Sequence, residues 1–329
     1  MNLSRSSLFG TVSLSALLVV LLWWYGKESG VASNTLYAQN IVPQRWAPLD
    51  EMFGFGRVAA GFVSLLCGFM IVQTASKNMF YFNKNLSSMV LFVLFSSLFL
   101  TDSGAVSPMV ATALMVFSFG NVLRSYPLNH PAVRRLFHSS FYLGVAVFIY
   151  PPFIYFVPML WVLLSLVRLP EVREWVVLSA VWMLPFGLYF MAEWLLGADV
   201  SAEWSLLWDG MTLNDGTIRA LGEVEWLGIA GLFVLLSVAM YVLGVLTFIK
   251  YREKFRKRGK AAQSFFAIFT VWALAVMLLS PVRSLYLAPA VAVGLSVTVP
   301  IYLGSVRSLW VNLLYGLLLI VGIAVHSPL

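Results

Sequence analysis

Charge is what this chain has least of. Only 11% of its 329 residues are Asp, Glu, Lys or Arg, where an ordinary soluble domain carries roughly 25%. That shortage excludes a water-facing surface over the whole chain. Cysteine is nearly absent. Cys67 stands alone, so one chain can form neither a disulfide framework nor a Cys-based zinc site. It lies within an apolar run, where a small packing residue is expected. The three histidines, His130, His138 and His326, lack the spacing of metal ligands. There is no P-loop, no Gly-x-Gly-x-x-Gly opening a Rossmann unit, no His-Glu-x-x-His and no nucleophile elbow. The commonest phosphate-cradle, dinucleotide, zincin and hydrolase motifs are thereby excluded. No internal repeat and no low-complexity linker breaks the chain.

What is present is apolar. Hydrophobic residues make up 60%, against about 45–50% in soluble domains. One soluble core of this length could not hide that surface. A membrane-spanning helix needs about 20 apolar residues, and the apolar runs here recur at that length. The fold class expected is therefore all-α: a polytopic integral membrane protein, one transmembrane domain over residues 1–329, with no separate soluble domain. About 11 transmembrane or re-entrant helices fit, within a range of about 9 to 12. Threaded in turn through a bilayer, the runs sort the charges by alternate gaps. One side collects 16 of the 21 Lys and Arg, with only Glu171, Glu174 and Glu253 among the acids; the other collects 11 of the 14 acids. Cytoplasmic loops carry such a Lys/Arg excess, which places the N-terminus in the cytoplasm and the C-terminus outside. The net charge of +7 thus points to anionic lipid headgroups rather than to nucleic acid.

Along the chain, residues 8–25 follow Arg5 and exceed a usual signal h-region, so an uncleaved anchor is expected. Residues 54–74 form the next span. Residues 87–100 and 106–123 make a hairpin around the outer turn Thr101-Asp102-Ser103-Gly104. Residues 141–167 are broken by Pro151-Pro152 and again by Pro158, which predicts two short helices or a re-entrant hairpin. Irregular backbone at membrane depth survives only inside protein or beside water, so this segment should be central. Residues 175–196 should kink at Pro185. The longest outer loop, 197–225, precedes a span at 226–249 and the basic run 250–260. Spans at 262–280, 285–303 and 309–326 complete the set.

Polar groups beside a membrane are functional candidates. Asp50 and Glu51 close the first outer loop just before a span, and Arg57 follows. The two carboxylates could act as a general base or hold a divalent cation; equally, they could cap a helix N-terminus, with Arg57 as a pairing cation. Asp102 is either a further catalytic carboxylate or the side chain of an Asx turn. Arg283, with Tyr286 beside it, sits in a short outer turn between two apolar spans. Its guanidinium could fork onto phosphate oxygens at headgroup level, or serve as an interfacial anchor. Glu193, near an outer helix end, can snorkel to the surface. The acids of 197–225 read as solvated. His130 and His138, near Arg134 and Arg135, suit headgroup contact better than metal. The run 250–260, with Tyr251 and Phe255 interleaved, reads as a topogenic, lipid-contacting loop.

Two resemblances follow. Residues 83–189 look like an uncharacterised family of multi-spanning inner-membrane proteins of Bacteroidetes. The shared features are the Asn83-Lys84 start, the Leu-Phe-Leu-Thr-Asp turn ending at Asp102, the Arg124 exit, the Phe-Ile-Tyr-Pro-Pro break and Arg173-Glu174-Trp175. That resemblance implies a bacterial inner-membrane location and no particular activity. More distantly, the plan resembles the GT-C superfamily of lipid-dependent glycosyltransferases. Asp50-Glu51 falls at that family's first-loop acidic position, and Arg283, Tyr286 and Pro289 at its late basic-aromatic-proline segment. The chain has no Asp-x-Asp and no C-terminal soluble domain. The resemblance implies a polyprenyl-phosphate-linked sugar as substrate, Asp50 or Glu51 as base or metal-linked carboxylate, and Arg283 as the lipid-phosphate contact. Two other functions fit the same threading: a non-enzymatic subunit of an envelope assembly or export complex, with other envelope proteins as partners, and a lipid or small-molecule transporter.

Overall fold

A computed structural model describes residues 15, 17, 18, 56–78, 87–97, 106–125, 133–167, 169–197, 201, 204, 205, 229–279, 287–305 and 309–326. Among these residues every regular element is a helix and none is a strand. A backbone surrounded by apolar groups must satisfy each N–H and C=O within its own segment, and the helix does so. In chain order the helices are α1 (Gly56–Asn78), α2 (Ser87–Ser97), α3 (Val106–Leu123) and α4 (Val133–Ile149). A 3-10 turn, Pro151–Phe156, leads into α5 (Val157–Val167). Then come α6 (Val172–Val181), α7 (Leu184–Leu195) and α8 (Ile229–Tyr251). A short 3-10 turn, Arg252–Lys254, precedes α9 (Lys257–Leu279), α10 (Ala288–Ser305) and α11 (Leu309–His326).

Within the described residues α1, α3, α8 and α9 are long and apolar enough to cross a membrane; the pair α6–α7, bent by 40°, makes a fifth if it is one span. Among the described residues the count of about eleven expected from apolar runs is not reached, and several of the described helices are short. α2 has 11 residues, and at 1.5 Å per residue it reaches about 16 Å, roughly half of a bilayer core. The segments Pro151–Val167, Ala288–Gly304 and Leu313–Ala324 are likewise short apolar helices. The first expected span, 8–25, lies outside the described residues apart from Ser15, Leu17 and Leu18. Most of 197–225 lies outside them too. The side of a membrane on which either terminus lies is not determined by how the helices pack.

Two boundaries differ from the apolar runs for local reasons. α4 begins at Val133 rather than near residue 141, because its first turns are amphipathic. Leu136, Ser139, Ser140 and Leu143 are buried, while Arg134, Arg135, Phe137 and His138 face outward. At the other kink, α6 ends at Val181 and α7 restarts at Leu184 with Pro185 in its first turn. Proline is tolerated there because the first-turn N–H has no helical partner.

The broken segment is central, as its prolines require. Pro151, Pro152, Phe153 and Phe156 are buried, and the backbone groups freed by the break find partners. The Phe153 N–H donates to Tyr150 O at 3.0 Å, and the Val157 N–H donates to Ile154 O. Trp272 Nε1 of α9 donates to Tyr155 O at 2.8 Å. Elsewhere the interior is knit by small hydroxyls, as in membrane bundles. Ser64 meets Ser96 at 3.2 Å between α1 and α2. Ser118 meets Ser139 at 2.9 Å between α3 and α4. Ser140 Oγ donates to Leu178 O at 2.9 Å, between α4 and α6. Large apolar side chains fill the core, Phe92 and Phe119 among them, and others also point outward, Phe62 and Leu235 each 66% exposed, which suits a lipid environment and not water.

These contacts fix helix directions. Ser64 lies by Ser96 and Gly68 by Met89, so α1 and α2 are antiparallel. Gly120 faces Thr74, so α3 runs beside α1 in the same sense. Phe119 of α3 stacks edge-on against Phe265 and Phe269 of α9, and Arg124 interacts with Arg258, so α9 opposes α3. Gly294 packs on Thr270, and Gly244 on Thr298, which sets α10 against α9 and along α8.

Gly144 is where α4 touches the α6–α7 break: a Cβ there would overlap the backbone of Trp182, with its Cα only 2.9 Å away. Gly144→Ala should lower thermal stability in detergent by about 1–3 kcal/mol through overpacking. Gly187, with nothing within 4 Å of its missing Cβ, should accept alanine with no loss, or a gain of up to about 1 kcal/mol.

Candidate functional site

The helix directions gather the polar connections at two opposite ends. At one end lie the N-terminus of α1, the C-terminus of α2, the N-terminus of α3, the C-terminus of α9 and the N-terminus of α10. In sequence, Asp50 and Glu51 stand six and five residues before the first residue of α1, Asp102 belongs to the link between α2 and α3, and Arg283 and Tyr286 to the link between α9 and α10. Those five residues lie outside the described ones. Arg57 is in the first turn of α1, with its side chain outside the described set. The described helix ends nearest in sequence to the six candidates therefore share one end of the bundle. Among the described residues no group of three His, Cys, Asp or Glu could hold a metal ion. Glu193 of α7 is 6% exposed, buried within the bundle where snorkelling was expected.

The opposite end is basic. It is formed by the C-termini of α3 and α8 and the N-termini of α4, α6 and α9. Arg124 leaves α3, Arg135 sits in the first turn of α4, and Arg258 in the first turn of α9. The like charges of Arg135 and Arg124 both act on Arg258. Arg135 Nη1 donates to the Arg124 carbonyl, a favourable place for a cation because the C-terminal carbonyls of α3 carry partial negative charge. Arg258 Nε is buried and has no hydrogen-bond partner. Glu171 and Glu174 close a capping box at the start of α6, with the Glu171 N–H donating to Glu174 Oε2 at 3.2 Å.

The α8–α9 connection is held mainly by packing. Phe248 and Phe255 meet edge-on at 5.5 Å and bury with Ile301 of α10, under Tyr251. Lys254 Nζ lies 4.8 Å from the Tyr251 ring centre, within the range of a cation–π contact. Lys260 pairs with Glu253 at 3.3 Å, but the Glu253 side chain is 92% exposed. The sequence placed these lysines and arginines on one side. It did not show that Arg124, Arg135 and Arg258, far apart in the chain, would converge. The only trace was a basic residue at each of three helix exits.

No family model, curated protein or solved structure matches this chain. Function is therefore argued from its own residues.

Because apolar packing holds this turn, Phe255→Ala should lower thermal stability by about 2–4 kcal/mol. Glu253→Gln, which removes only an exposed ion pair, should change it by less than about 1 kcal/mol. Thermal unfolding of both variants in one detergent compares them directly.

Proposed function

We propose that this chain is a polytopic protein of a bacterial inner membrane that acts at the outer face on a polyprenyl-phosphate-linked sugar, on a helical scaffold of GT-C type. The observation that carries the reading is the common end shared by the helices leading to Asp50, Glu51, Arg57, Asp102, Arg283 and Tyr286. Helix ends more than two hundred positions apart in the chain thus meet at one end of the bundle, which supports the reading. The end opposite carries the Lys/Arg excess, and the positive-inside tendency assigns that end to the cytoplasm. The candidate carboxylates and Arg283 then belong outside. The threading of about eleven membrane-embedded segments, with a cytoplasmic N-terminus and an outer C-terminus, is part of the same proposal.

The chemistry follows from residue type. Asp50 or Glu51 would take the proton from an acceptor hydroxyl, directly or with a divalent cation held by the pair and Asp102. Arg283 would fork onto the phosphate that leaves with the lipid, neutralising charge as the sugar–phosphate bond breaks. Tyr286 and Arg57 would flank the headgroup.

The test is transfer of labelled sugar from a polyprenyl-phosphate donor in reconstituted liposomes. Asp50→Ala and Arg283→Ala should each reduce product by at least about a hundredfold, with the protein still inserted. Unchanged transfer in both variants would contradict the enzyme reading and favour the envelope-assembly subunit. Omission of divalent cations from the same assay reports whether the carboxylates work through a metal.

A further inference from the structure

The basic end carries a feature that topology alone does not explain. A positive-inside signal needs lysines and arginines in loops; it does not need three arginine-bearing helix ends gathered at one place, with Arg135 donating to the Arg124 carbonyl. Here Arg124, Arg135 and Arg258 come from three separate helix ends and are brought together by buried contacts beneath them. Those contacts are the Ser118–Ser139 hydroxyl pair at 2.9 Å and the Phe119–Phe265 ring pair at 5.0 Å. Among the described residues none of the three arginines has a carboxylate partner; the ion pair of this end joins Lys260 to Glu253.

The local dipoles sharpen the point. α9 is 23 residues long and has no acid in its first turn. Its first N–H groups carry partial positive charge and have no partner within the helix. Lys257, Arg258 and Lys260 add full positive charges at that end, the reverse of what a helix N-terminus favours. Arg258 Nε is buried without a partner. An anion seated here would meet unpaired donors from a helix N-terminus and from guanidinium groups, and would remove the mutual repulsion.

We propose that Arg124, Arg135 and Arg258, with the N-terminus of α9, form a binding site for a phosphate group, taken from the headgroup of an anionic phospholipid or as free phosphate. The site is independent of the chemistry proposed at the opposite end. Its work is to fasten the ends of α3, α4 and α9 together: with the anion bound, three like charges become a bridged set.

The experiment uses the full-length chain purified in a neutral detergent. Binding is read as a thermal shift and by native mass spectrometry, with phosphatidylglycerol, phosphatidylcholine and inorganic phosphate as separate probes. Phosphatidylglycerol should raise the melting temperature and phosphatidylcholine should not. Inorganic phosphate acting as well identifies a site for the bare group; inorganic phosphate acting alone identifies the free anion as ligand. In either case Arg258→Gln should weaken binding about tenfold, the loss of one charge-assisted contact. Arg258→Lys, which keeps the charge and loses the fork, should fall between the two and guards against a folding defect in the glutamine variant. Lys254→Gln, an exposed charge of the same turn outside the cluster, should change affinity less than twofold. Equal weakening by Lys254→Gln and Arg258→Gln, or no binding of either phosphate probe, would overturn the proposal.

Discussion

The structure depends on one constraint: a backbone kept from water must find its hydrogen bonds inside the protein. With so few charged residues, this chain meets that demand by forming helices throughout the described residues. Where the helix cannot continue, the break is moved to the centre of the bundle. Pro151, Pro152 and Pro158 cannot donate, and their neighbours' carbonyls are answered by a 3-10 turn and by the Trp272 indole. The interior that surrounds this break is packed with aromatic rings such as Phe153, Phe156 and Phe269 and carries buried serine and threonine hydroxyls, while large apolar side chains also cover the exterior. An apolar exterior of this kind departs from a soluble domain, and the buried hydroxyls are of the kind that join helices in lipid.

The same constraint drives charge to the two ends. Among the described residues every arginine and lysine discussed above lies at a helix terminus or in a connection, and the helix directions gather the helix ends on opposite sides of the bundle. One end holds like charges in excess and has few acids to offset them. The other is joined to the acids of the first loop, the Asp102 turn and the Arg283 turn. The proposed anion binding at the basic end and the proposed acid–base work at the other would be different uses of one partition. Neither end could exist without an uncharged middle to separate them.

Much of this was legible in the sequence. The apolar runs located most helices, and 309–326 coincides with α11. The proline pairs located the breaks, because missing donors and ring clashes are local properties. The start of α4 was not legible from hydropathy, since Arg134 and Arg135 sit on an outward face of a helix whose other face is buried. Among the described residues fewer helices are long enough to span than there are apolar runs, because a run reports composition whereas crossing requires length. The convergence of Arg124, Arg135 and Arg258 is a tertiary fact; it follows from ring and hydroxyl contacts between α3, α4 and α9 that no single segment encodes.

The central claim is that the two charged ends face opposite sides of a membrane, with the candidate residues on one of them. Cysteine labelling with a membrane-impermeant maleimide tests it directly, because Cys67, the native cysteine, is buried and should stay silent. Asp102→Cys should label in intact spheroplasts, and Lys254→Cys only after the membrane is opened. Labelling of both positions from the same side, or with the sides reversed, would contradict the account.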